Sequence, residues 1–582
     1  MNQTYSSREP KYITSVAQLV ILKSILPDSG FRISLFLLSA FLLLNTLVFS
    51  QTPIKKEVEV VKPYEPTVSD ANKISILPQV KDSVIIRPSF NYNIVPMMVS
   101  TEYNVPSINA AKMLAMPIPK LYKSYLKLGY GNYTSPLAEV YINSLRSKKY
   151  TAGIFLRHQS SKGNVTLEND RSVYGGYSET SAEVFGKRFL KKSYLFADAG
   201  VRGNTVYRYG YDPTLNILPL ENGDIRQSYF LANVNTGIHS LNTDSSKLTY
   251  HIGLGYNYFK EREKRIENNI KINGQFNKLY QGKMFGINTS FDLLKRNDML
   301  DSTGNSNSLF VLNPWIGISS QDYRLQLGFN ANFDKQDGTL KPHIYPKAEF
   351  QFNVVKDVLI PYVGISGQIK NHSYRDIAFE NPFINPHLLV KNSNVKTSFY
   401  GGVKGSLGAK ASYVLKIDLS HIDNQYFFVN DTTIRLRNQF TVVYDNVDLF
   451  TGYAEINYDF SESLLFGVKG NIYKYTLDKE QYAWHKPTYD LTFSSKYNLR
   501  NKILVNLDVL ALGKRYAKEF SKTLTSKELS GIVDFNIGLE YRYTKILSGW
   551  IHFNNITAAK YYTWNQYPAQ RFNLMLGFTY SL

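Results

Sequence analysis

Cysteine and histidine, which commonly act as nucleophiles, bases or metal ligands, are absent or few in this chain. Its 582 residues include no cysteine, which excludes thiolate zinc sites, iron–sulfur clusters, cysteine nucleophiles and disulfides. The nine histidines are scattered, and no two have the spacing of metal ligands. The segment Gly-Ile-Ser-Gly at 364–367 is one residue out of the G-x-S-x-G pattern of hydrolases. We therefore expect no enzyme activity, no metal site and no cofactor.

Charged residues within alternating segments are the other functional candidates. They are Arg324, Asp508, Asp534, Glu540 and Arg542. Each lies on the polar side of a segment in which every second residue is apolar. In a membrane barrel the polar side faces the lumen, where substitutions change solute selectivity. A structural network of ion pairs along the wall is the alternative role, and no substrate follows from these residues.

The elements that position these charges have a period of two. Apolar and polar residues alternate at 250–258, 323–333 and 533–543. A period of two indicates a β-strand with one apolar and one polar face. These runs are about twice as long as an ordinary strand and match the roughly 9–11 residues of a tilted transmembrane strand. The pattern therefore favours a membrane barrel over a soluble all-β protein.

Short turns and longer polar connections alternate along the chain, as in outer-membrane barrels. Short turns are predicted near Ser147–Lys149, Lys191–Ser193, Thr243–Lys247, Gln281–Lys283, Ser320–Asp322, Lys356–Asp357, Ala409–Lys410, Ser461–Ser463, Arg500–Lys502 and Thr544–Ile546. Longer connections are predicted around 163–177, 206–225, 297–306, 371–393, 425–445, 477–486, 514–529 and 562–569. With the first and last strands added, the count is about 22. The sequence predicts an all-β, transmembrane, antiparallel up-and-down β-barrel over 123–582. The barrel must be closed, because lipid offers no hydrogen-bond partner to the backbone groups of a free sheet edge.

Two segments precede the predicted barrel. Residues 33–49 are apolar and follow Arg32, and small residues near 48–50 suit a signal peptidase, so 1–50 is predicted to be a signal peptide with an extended n-region. Residues 51–122 contain many prolines, which disfavour a packed helical domain. This segment is either a reduced plug that lines the lumen or a flexible periplasmic tail.

The chain ends in a strand with a continuous apolar face. This face is formed by Phe572, Leu574, Leu576, Phe578, Tyr580 and Leu582. It resembles the C-terminal strand that the barrel-assembly machinery recognises. Leu582 stands where an aromatic residue is commoner, and its apolar side chain is expected to serve.

The last 33 residues, 550–582, resemble the final hairpin of TonB-dependent receptors. The resemblance is carried by Asn554, Asn555, Lys560, Tyr561, Tyr567, Pro568, Arg571, Gly577, Thr579 and Tyr580. It implies an outer-membrane receptor that takes up a bulky solute with a TonB partner. The chain departs from the family before the barrel, because 51–122 is too short for the usual globular plug. This departure puts classical ligand-gated uptake in doubt.

A short segment near the predicted mature N-terminus resembles a TonB box, the extended segment through which TonB grips a receptor. It consists of Glu57, Val58, Glu59, Val60 and Val61. A valine-rich extended segment suits the addition of a strand to the edge of a partner's sheet.

Three functions remain open at this point. The first is transport of a bulky solute across the cell outer membrane by a barrel that resembles a TonB-dependent receptor. The second is a barrel subunit or scaffold of an envelope-assembly, secretion or surface-lipoprotein complex, and the third is a passive porin. The expected partners are the outer-membrane bilayer, the barrel-assembly machinery, and either TonB or a surface lipoprotein or other envelope protein. The net charge of +20 is spread along the chain without a block of like charges, so no nucleic acid is expected.

The substitution Val58→Pro is expected to abolish crosslinking of the protein to TonB, because proline removes a backbone donor that an added strand needs. Crosslinking in whole cells measures this, with Val58→Ile as the matched control that keeps the donor. Unchanged crosslinking of the proline variant would show that 57–61 is not a TonB box.

Overall fold

The structure is a computed structural model that describes residues 121–212, 221–241, 244, 246–298, 301–336, 338–519 and 525–582. These residues belong to one compact unit, Met113–Leu582. The signal peptide, the proline-rich segment up to 120 and the TonB-box candidate at 57–61 lie outside the described residues and stay predictions.

The described chain is built almost wholly of strands. In chain order they are β1 (Ser124–Gly131), β2 (Ser135–Asn143), β3 (Tyr150–Ser161), β4 (Asn164–Thr166), β5 (Ser172–Tyr174), β6 (Tyr177–Phe189), β7 (Ser193–Tyr207), β8 (Arg226–Ser240), β9 (Thr249–Glu261), β10 (Ile266–Tyr280), β11 (Lys283–Asp298), β12 (Asp301–Ser319), β13 (Tyr323–Gln336), β14 (Thr339–Phe352), β15 (Ile360–Lys370), β16 (Ser393–Ser406), β17 (Ala411–Asn430), β18 (Phe440–Ser461), β19 (Leu464–Leu477), β20 (Tyr489–Leu499), β21 (Ile503–Leu512), β22 (Arg515–Lys518), β23 (Ser526–Leu529), β24 (Ile532–Arg542), β25 (Leu547–Asn554), β26 (Tyr562–Trp564), β27 (Tyr567–Pro568) and β28 (Asn573–Ser581). The helices are α1 (Asn222–Ile225) and α2 (Tyr374–Glu380). Neither helix, nor any other in the part of the chain described, is long and apolar enough to cross a membrane.

Twenty-two of these strands form one closed antiparallel sheet, which confirms the predicted fold class and strand number. Each strand pairs with the next one along the chain, and β1 pairs with β28, where Leu128 lies opposite Phe578. The other strands form three small hairpins outside the ring, β4 with β5, β22 with β23, and β26 with β27. The ring has no free edge, as a sheet in lipid requires.

The alternation in sequence becomes an alternation of exposure in the barrel wall. On β24, Val533 is 46% exposed and Phe535 is 37% exposed on the outer face, and the polar residues between them take the inner face. Large apolar side chains are exposed in this way around the whole ring. Such a surface is stable only when lipid covers it.

All ten predicted short turns join consecutive strands of the barrel at one rim. The other rim carries eleven connections, and the predictions there were wrong in two places. β11 and β12 continue through 297–306 apart from 299–300, and β17 and β18 leave only 431–439 of the predicted 425–445. The extended ends of β11 and β12 are rich in polar residues, so their sequence pattern is that of a loop. The extended ends of β17 and β18 instead carry apolar residues on both faces, and Phe427, Phe428 and Phe440 are buried there. Neither pattern has the period of two that indicates a strand with one apolar face. The tight turns at 132–134 and 262–265, and the short connection between Gln336 and Thr339, were missed for lack of a long polar stretch.

The junction that closes the ring depends on a tryptophan lying against two glycines. A Cβ atom at Gly129 would lie 2.4 Å from the Trp550 ring, and one at Gly577 would lie 2.6 Å from it. The Lys127 ammonium lies 4.5 Å from the centre of the same ring. Leu137 and Met575 complete a small buried cluster around the indole. The first and last strands are thereby packed together as well as hydrogen-bonded.

The substitution Gly577→Val is expected to lower the yield of closed barrel, because a Cβ there would lie 2.0 Å from the carbonyl oxygen of Leu128. Overpacking of this kind costs about 1–3 kcal/mol or more. The measurement is the fraction of protein that keeps the fast-migrating folded form on electrophoresis without heating. Gly549→Val on β25 is the matched control, since no atom lies within 4 Å of a Cβ at that position. Equal yields for the two variants would contradict the packing of this junction.

Candidate functional site

The connection between β15 and β16, residues 371–392, folds across the mouth of the barrel at the rim of longer connections. We call it the cap. Its apolar side chains join a buried core with residues at the ends of β7–β9, of β17 and β18, and with Tyr567 of the last connection. The members are Val206, Tyr229, Phe259, Tyr374, Ile377, Ala378, Ile384, Leu388, Val390, Tyr426, Phe428, Phe440 and Tyr567.

Connections from nearly opposite sides of the ring touch each other over the lumen. β7 and β17 are separated by ten strand positions in the ring of 22. Nevertheless, the Asn438 side chain, which follows β17, donates a 2.6 Å hydrogen bond to the carbonyl of Arg208, which follows β7. Arg437 and Asp212 form an ion pair of 3.2 Å between the same two connections. The long-connection mouth is therefore closed by the protein itself.

Helix α2 in the cap is fixed to the barrel wall at its first turn. The Ser373 hydroxyl accepts a hydrogen bond from the Asp376 amide at 3.1 Å and caps the helix. Glu267 on β10 accepts hydrogen bonds from the amides of Tyr374 and Arg375, each at 3.0 Å. Two of the amides that a helix start leaves unpaired are thus bound by a buried carboxylate of the wall.

Buried arginines of the wall hold the rest of the cap through its carbonyl groups. Arg265 donates to the carbonyls of Pro386 at 2.5 Å and Leu388 at 3.0 Å. Arg208 donates to the carbonyl of Ile384 at 3.4 Å and pairs with Glu263 at 2.7 Å. A buried guanidinium needs such acceptors, because losing water without replacement costs several kcal/mol. The cap and the arginines therefore depend on each other.

A buried histidine in the connection between β19 and β20 joins the end of β17 to the last connection at the same mouth. His485 Nδ1 lies 2.9 Å from the carbonyl oxygen of Phe428, and its Nε2 lies 3.3 Å from the backbone nitrogen of Asn565. This arrangement fits the neutral ring with a proton on Nδ1, because Nε2 then accepts the Asn565 amide. Burial, helped by the charges of Arg515 and Lys486, lowers the pKa of His485 from its ordinary 6.5 to about 3.

A second histidine, His372, lies at the start of the cap. Its Nε2 is 3.0 Å from the Ser393 hydroxyl, and its ring packs edge-on against Tyr426. Burial lowers its pKa to about 4, with a smaller contribution from the nearby charge of Lys370. Both histidines are therefore neutral in the closed mouth at physiological pH.

A polar chamber of about 580 Å³ lies in the lumen against the cap. Its wall is rich in carboxamides, from Asn257, Asn269, Asn330, Asn332, Gln368 and Asn371. Its charged residues neutralise each other, since Asp292 accepts a 2.5 Å hydrogen bond from Asn269 and lies 3.9 Å from Lys271, and Arg375 pairs with Asp376. A second cavity of about 380 Å³ shares Gln368 with it. The lining of the chamber is polar and has no net charge.

The five charged residues predicted from the sequence do not form one site. Arg324 is exposed near the short-turn rim, and Asp508 lies on β21 opposite Ser494. Asp534 accepts a 3.0 Å hydrogen bond from Tyr561, while Glu540 and Arg542 lie 3.6 Å apart. None of the five lines either cavity. Their influence on selectivity stays a prediction.

The predicted assembly residues fall on and beside the last strand, β28. Leu576, Phe578 and Leu582 are exposed on its outer face, and β28 closes the ring. Their recognition by the assembly machinery stays a prediction.

The residues that hold the cap were missed in the sequence. The run Arg-Glu-Lys-Arg-Ile-Glu at 262–267 was the available signal, because it places several charges between two regular strands. What those charges contact depends on a connection more than a hundred residues away, which no local pattern reveals. In the ranges that the structure describes, no three histidine or acidic side chains are grouped as metal ligands would be.

The barrel is similar to solved structures of TonB-dependent receptors. The FrpB iron transporter from Neisseria meningitidis superposes with a TM-score of 0.63 at 9% identity, over 80% of this chain and 82% of that one. A mutant of the ferric enterobactin receptor PfeA from Pseudomonas aeruginosa, in complex with enterobactin, gives 0.60 at 10% identity, over 79% and 81%. The ferric-catecholate import receptor Fiu from E. coli K12 gives 0.58 at 9% identity, over 80% and 82%. No protein-family model and no curated protein matches the chain.

The predicted resemblance is therefore confirmed at the level of fold. The chain is an outer-membrane β-barrel of 22 strands with the architecture of a TonB-dependent receptor barrel. At such low identity the likeness extends to the fold alone, and the ligands of those receptors are properties of those proteins.

Acidification is expected to loosen the closed mouth. In an opened mouth the two histidines regain a pKa near 6.5, so the opened form binds protons more readily below that pH. The closed form therefore keeps its full stability above about pH 7 and loses part of it as the pH falls from about 6.5 to 4. At pH 5 each histidine raises the equilibrium constant for opening by about 30-fold, which is ~2 kcal/mol.

Amide hydrogen exchange at 478–488 and 555–572, corrected for the intrinsic effect of pH, measures this opening. His485→Gln is the matched control, because its amide keeps a donor and an acceptor but does not titrate. Exchange that is independent of pH in the unsubstituted protein would contradict the assignment of neutral, buried histidines.

Proposed function

We propose that this protein transports a bulky solute across the outer membrane and that the cap is its gate at the long-connection mouth. The observation that carries the proposal is the closure of a 22-strand barrel by its own connections above a polar chamber. A barrel of this size encloses a wide lumen, so an unclosed one would leak. Closure at the mouth gives the protein a way to admit solute without a permanent pore.

The chemistry of the cap contacts supports a gate that opens. Its attachments to the wall combine an apolar core with hydrogen bonds to backbone groups of the cap. Glu267 accepts from cap amides, and Arg265 and Arg208 donate to cap carbonyls. Water satisfies the same groups when the cap lifts, so opening exposes no unpaired charge to lipid. We further propose that TonB, a partner implied by the resemblance, supplies the work of moving solute past the chamber.

A second function is favoured by the size of the buried core at the mouth. Thirteen buried residues hold the connections together, and this much burial suits a barrel that never opens. Such a barrel would be a subunit or scaffold of an envelope complex. A passive porin is the least favoured of the three functions, because the long-connection mouth is closed.

A reversible lock on the cap distinguishes these functions. The Asn385 side chain donates a 2.5 Å hydrogen bond to Asp431, which joins the cap to the connection after β17. Because the chain has no cysteine, Asn385→Cys with Asp431→Cys introduces the only two thiols. A short reducible bis-thiol reagent then ties the cap shut. We expect brief openings of the purified protein in a planar bilayer, their loss on locking, and their return on reduction.

Each single cysteine variant, treated with the same reagent, is the matched control. A steady conductance that survives locking would show a porin. Silence before and after locking, with and without residues 51–120, would favour the scaffold and overturn the gate.

A further inference from the structure

The short turns of the barrel differ sharply in charge around the rim. Four of them, 144–149, 190–192, 500–502 and 543–546, contain no acidic residue. Their cations are Arg146, Lys148, Lys149, Lys191, Lys192, Arg500, Lys502 and Lys545. The remaining six turns contain only Lys247, Lys356 and Lys410 among cations, against Asp244, Asp322, Asp357 and Glu462. The net positive charge of the short turns is thus concentrated in one part of the rim.

These four turns are neighbours in space, although they come from the two ends of the barrel sequence. They join β2 to β3, β6 to β7, β20 to β21 and β24 to β25. Because β1 pairs with β28, the four turns lie on both sides of the junction that closes the ring. We call them the basic sector. Eight cations therefore lie side by side over about a third of the rim.

The cations of the basic sector are free to bind a ligand. All eight are exposed. In the part of the chain that the structure describes none of them forms an ion pair, whereas Lys247 outside the sector pairs with Asp244 at 3.5 Å. Unpaired cations held close together repel one another, and an anion that neutralises several of them is favoured.

Exposed apolar side chains alternate with these cations. Leu145 is 55% exposed beside Arg146, Leu190 is 44% exposed beside Lys191, and Tyr543 is 66% exposed in the same turn as Lys545. Tyr150, at the first position of β3, is 56% exposed beside Lys149. Exposed aromatic residues at strand ends mark the boundary between acyl chains and headgroups. The cations next to them therefore lie at the depth of lipid phosphates.

We propose that the basic sector binds the headgroups of anionic phospholipids in the leaflet that faces the short turns. The interleaved leucines and tyrosines suit acyl chains, while an acidic protein segment would leave them exposed to water. A lipid with two phosphates is the best match to paired cations such as Lys148 with Lys149 and Lys191 with Lys192. The inference is independent of whether the barrel transports solute.

Native mass spectrometry of the full chain in detergent tests the proposal, with cardiolipin, phosphatidylglycerol and phosphatidylethanolamine as probes. We expect cardiolipin to bind at least about tenfold more tightly than phosphatidylethanolamine. The triple variant Lys149→Gln, Lys191→Gln, Lys502→Gln should lower cardiolipin affinity by about tenfold or more. The matched variant Lys247→Gln, Lys356→Gln, Lys410→Gln removes the same charge elsewhere on the rim and should change it by less than about twofold.

Both triple variants must first show the folded form on unheated electrophoresis, which excludes a failure to fold. Equal losses of cardiolipin affinity in the two variants would show a general effect of net charge and would overturn the proposal. Displacement of the lipid by a large excess of inorganic phosphate would show a free-phosphate site instead. Binding of poly-glutamate without discrimination among the lipids would assign the sector to an acidic protein.

Discussion

A backbone amide or carbonyl without a hydrogen-bond partner costs several kcal/mol in the hydrocarbon of a membrane, and this cost governs the whole molecule. It requires each strand to have two neighbours, so the sheet must return to its start. The pairing of β1 with β28 meets this requirement, and Trp550 lying against Gly129 and Gly577 adds packing to it. The ring then fixes which connections meet at each rim. Both the closed mouth and the basic sector are consequences of that geometry.

The two rims of the barrel use charge in different ways. At the long-connection rim, Arg208, Arg265 and Glu267 are buried and bind backbone groups of the cap. At the short-turn rim the cations are exposed and concentrated beside the closing junction. Burial makes the first set specific, because each charge must find its partner inside the protein. Exposure beside apolar residues makes the second set suited to a membrane surface.

The structure gives a physical basis for closing a receptor-like barrel at its long-connection mouth. Its solved counterparts share the fold of the barrel at about 10% identity. The wall is built from strands that are neighbours in sequence, apart from the pairing of β1 with β28. Closure by the cap depends instead on contacts between connections that are far apart in sequence. The neutral, amide-rich chamber beneath it sets the chemistry that any solute would meet. A gate and a permanent seal use the same contacts and differ in how much free energy opening requires.

The sequence by itself determined the elements that have a repeating physical cause. A period of two fixed the strands, the ten short turns fixed their number, and the apolar face of the last strand fixed where the barrel ends. The full lengths of β11 and β12 were not predictable, because a strand with two polar faces has no apolar period. Those of β17 and β18 were not predictable either, because their ends are apolar on both faces and are buried in the core at the mouth. Only the tertiary structure decided the cap, whose Tyr374 and Arg375 amides meet Glu267 more than a hundred residues away, and the basic sector, whose turns come from opposite ends of the barrel sequence. The alternation of apolar and polar residues indicates which face of a strand contacts lipid. Contacts across the closed ring depend instead on which strands the closure brings together.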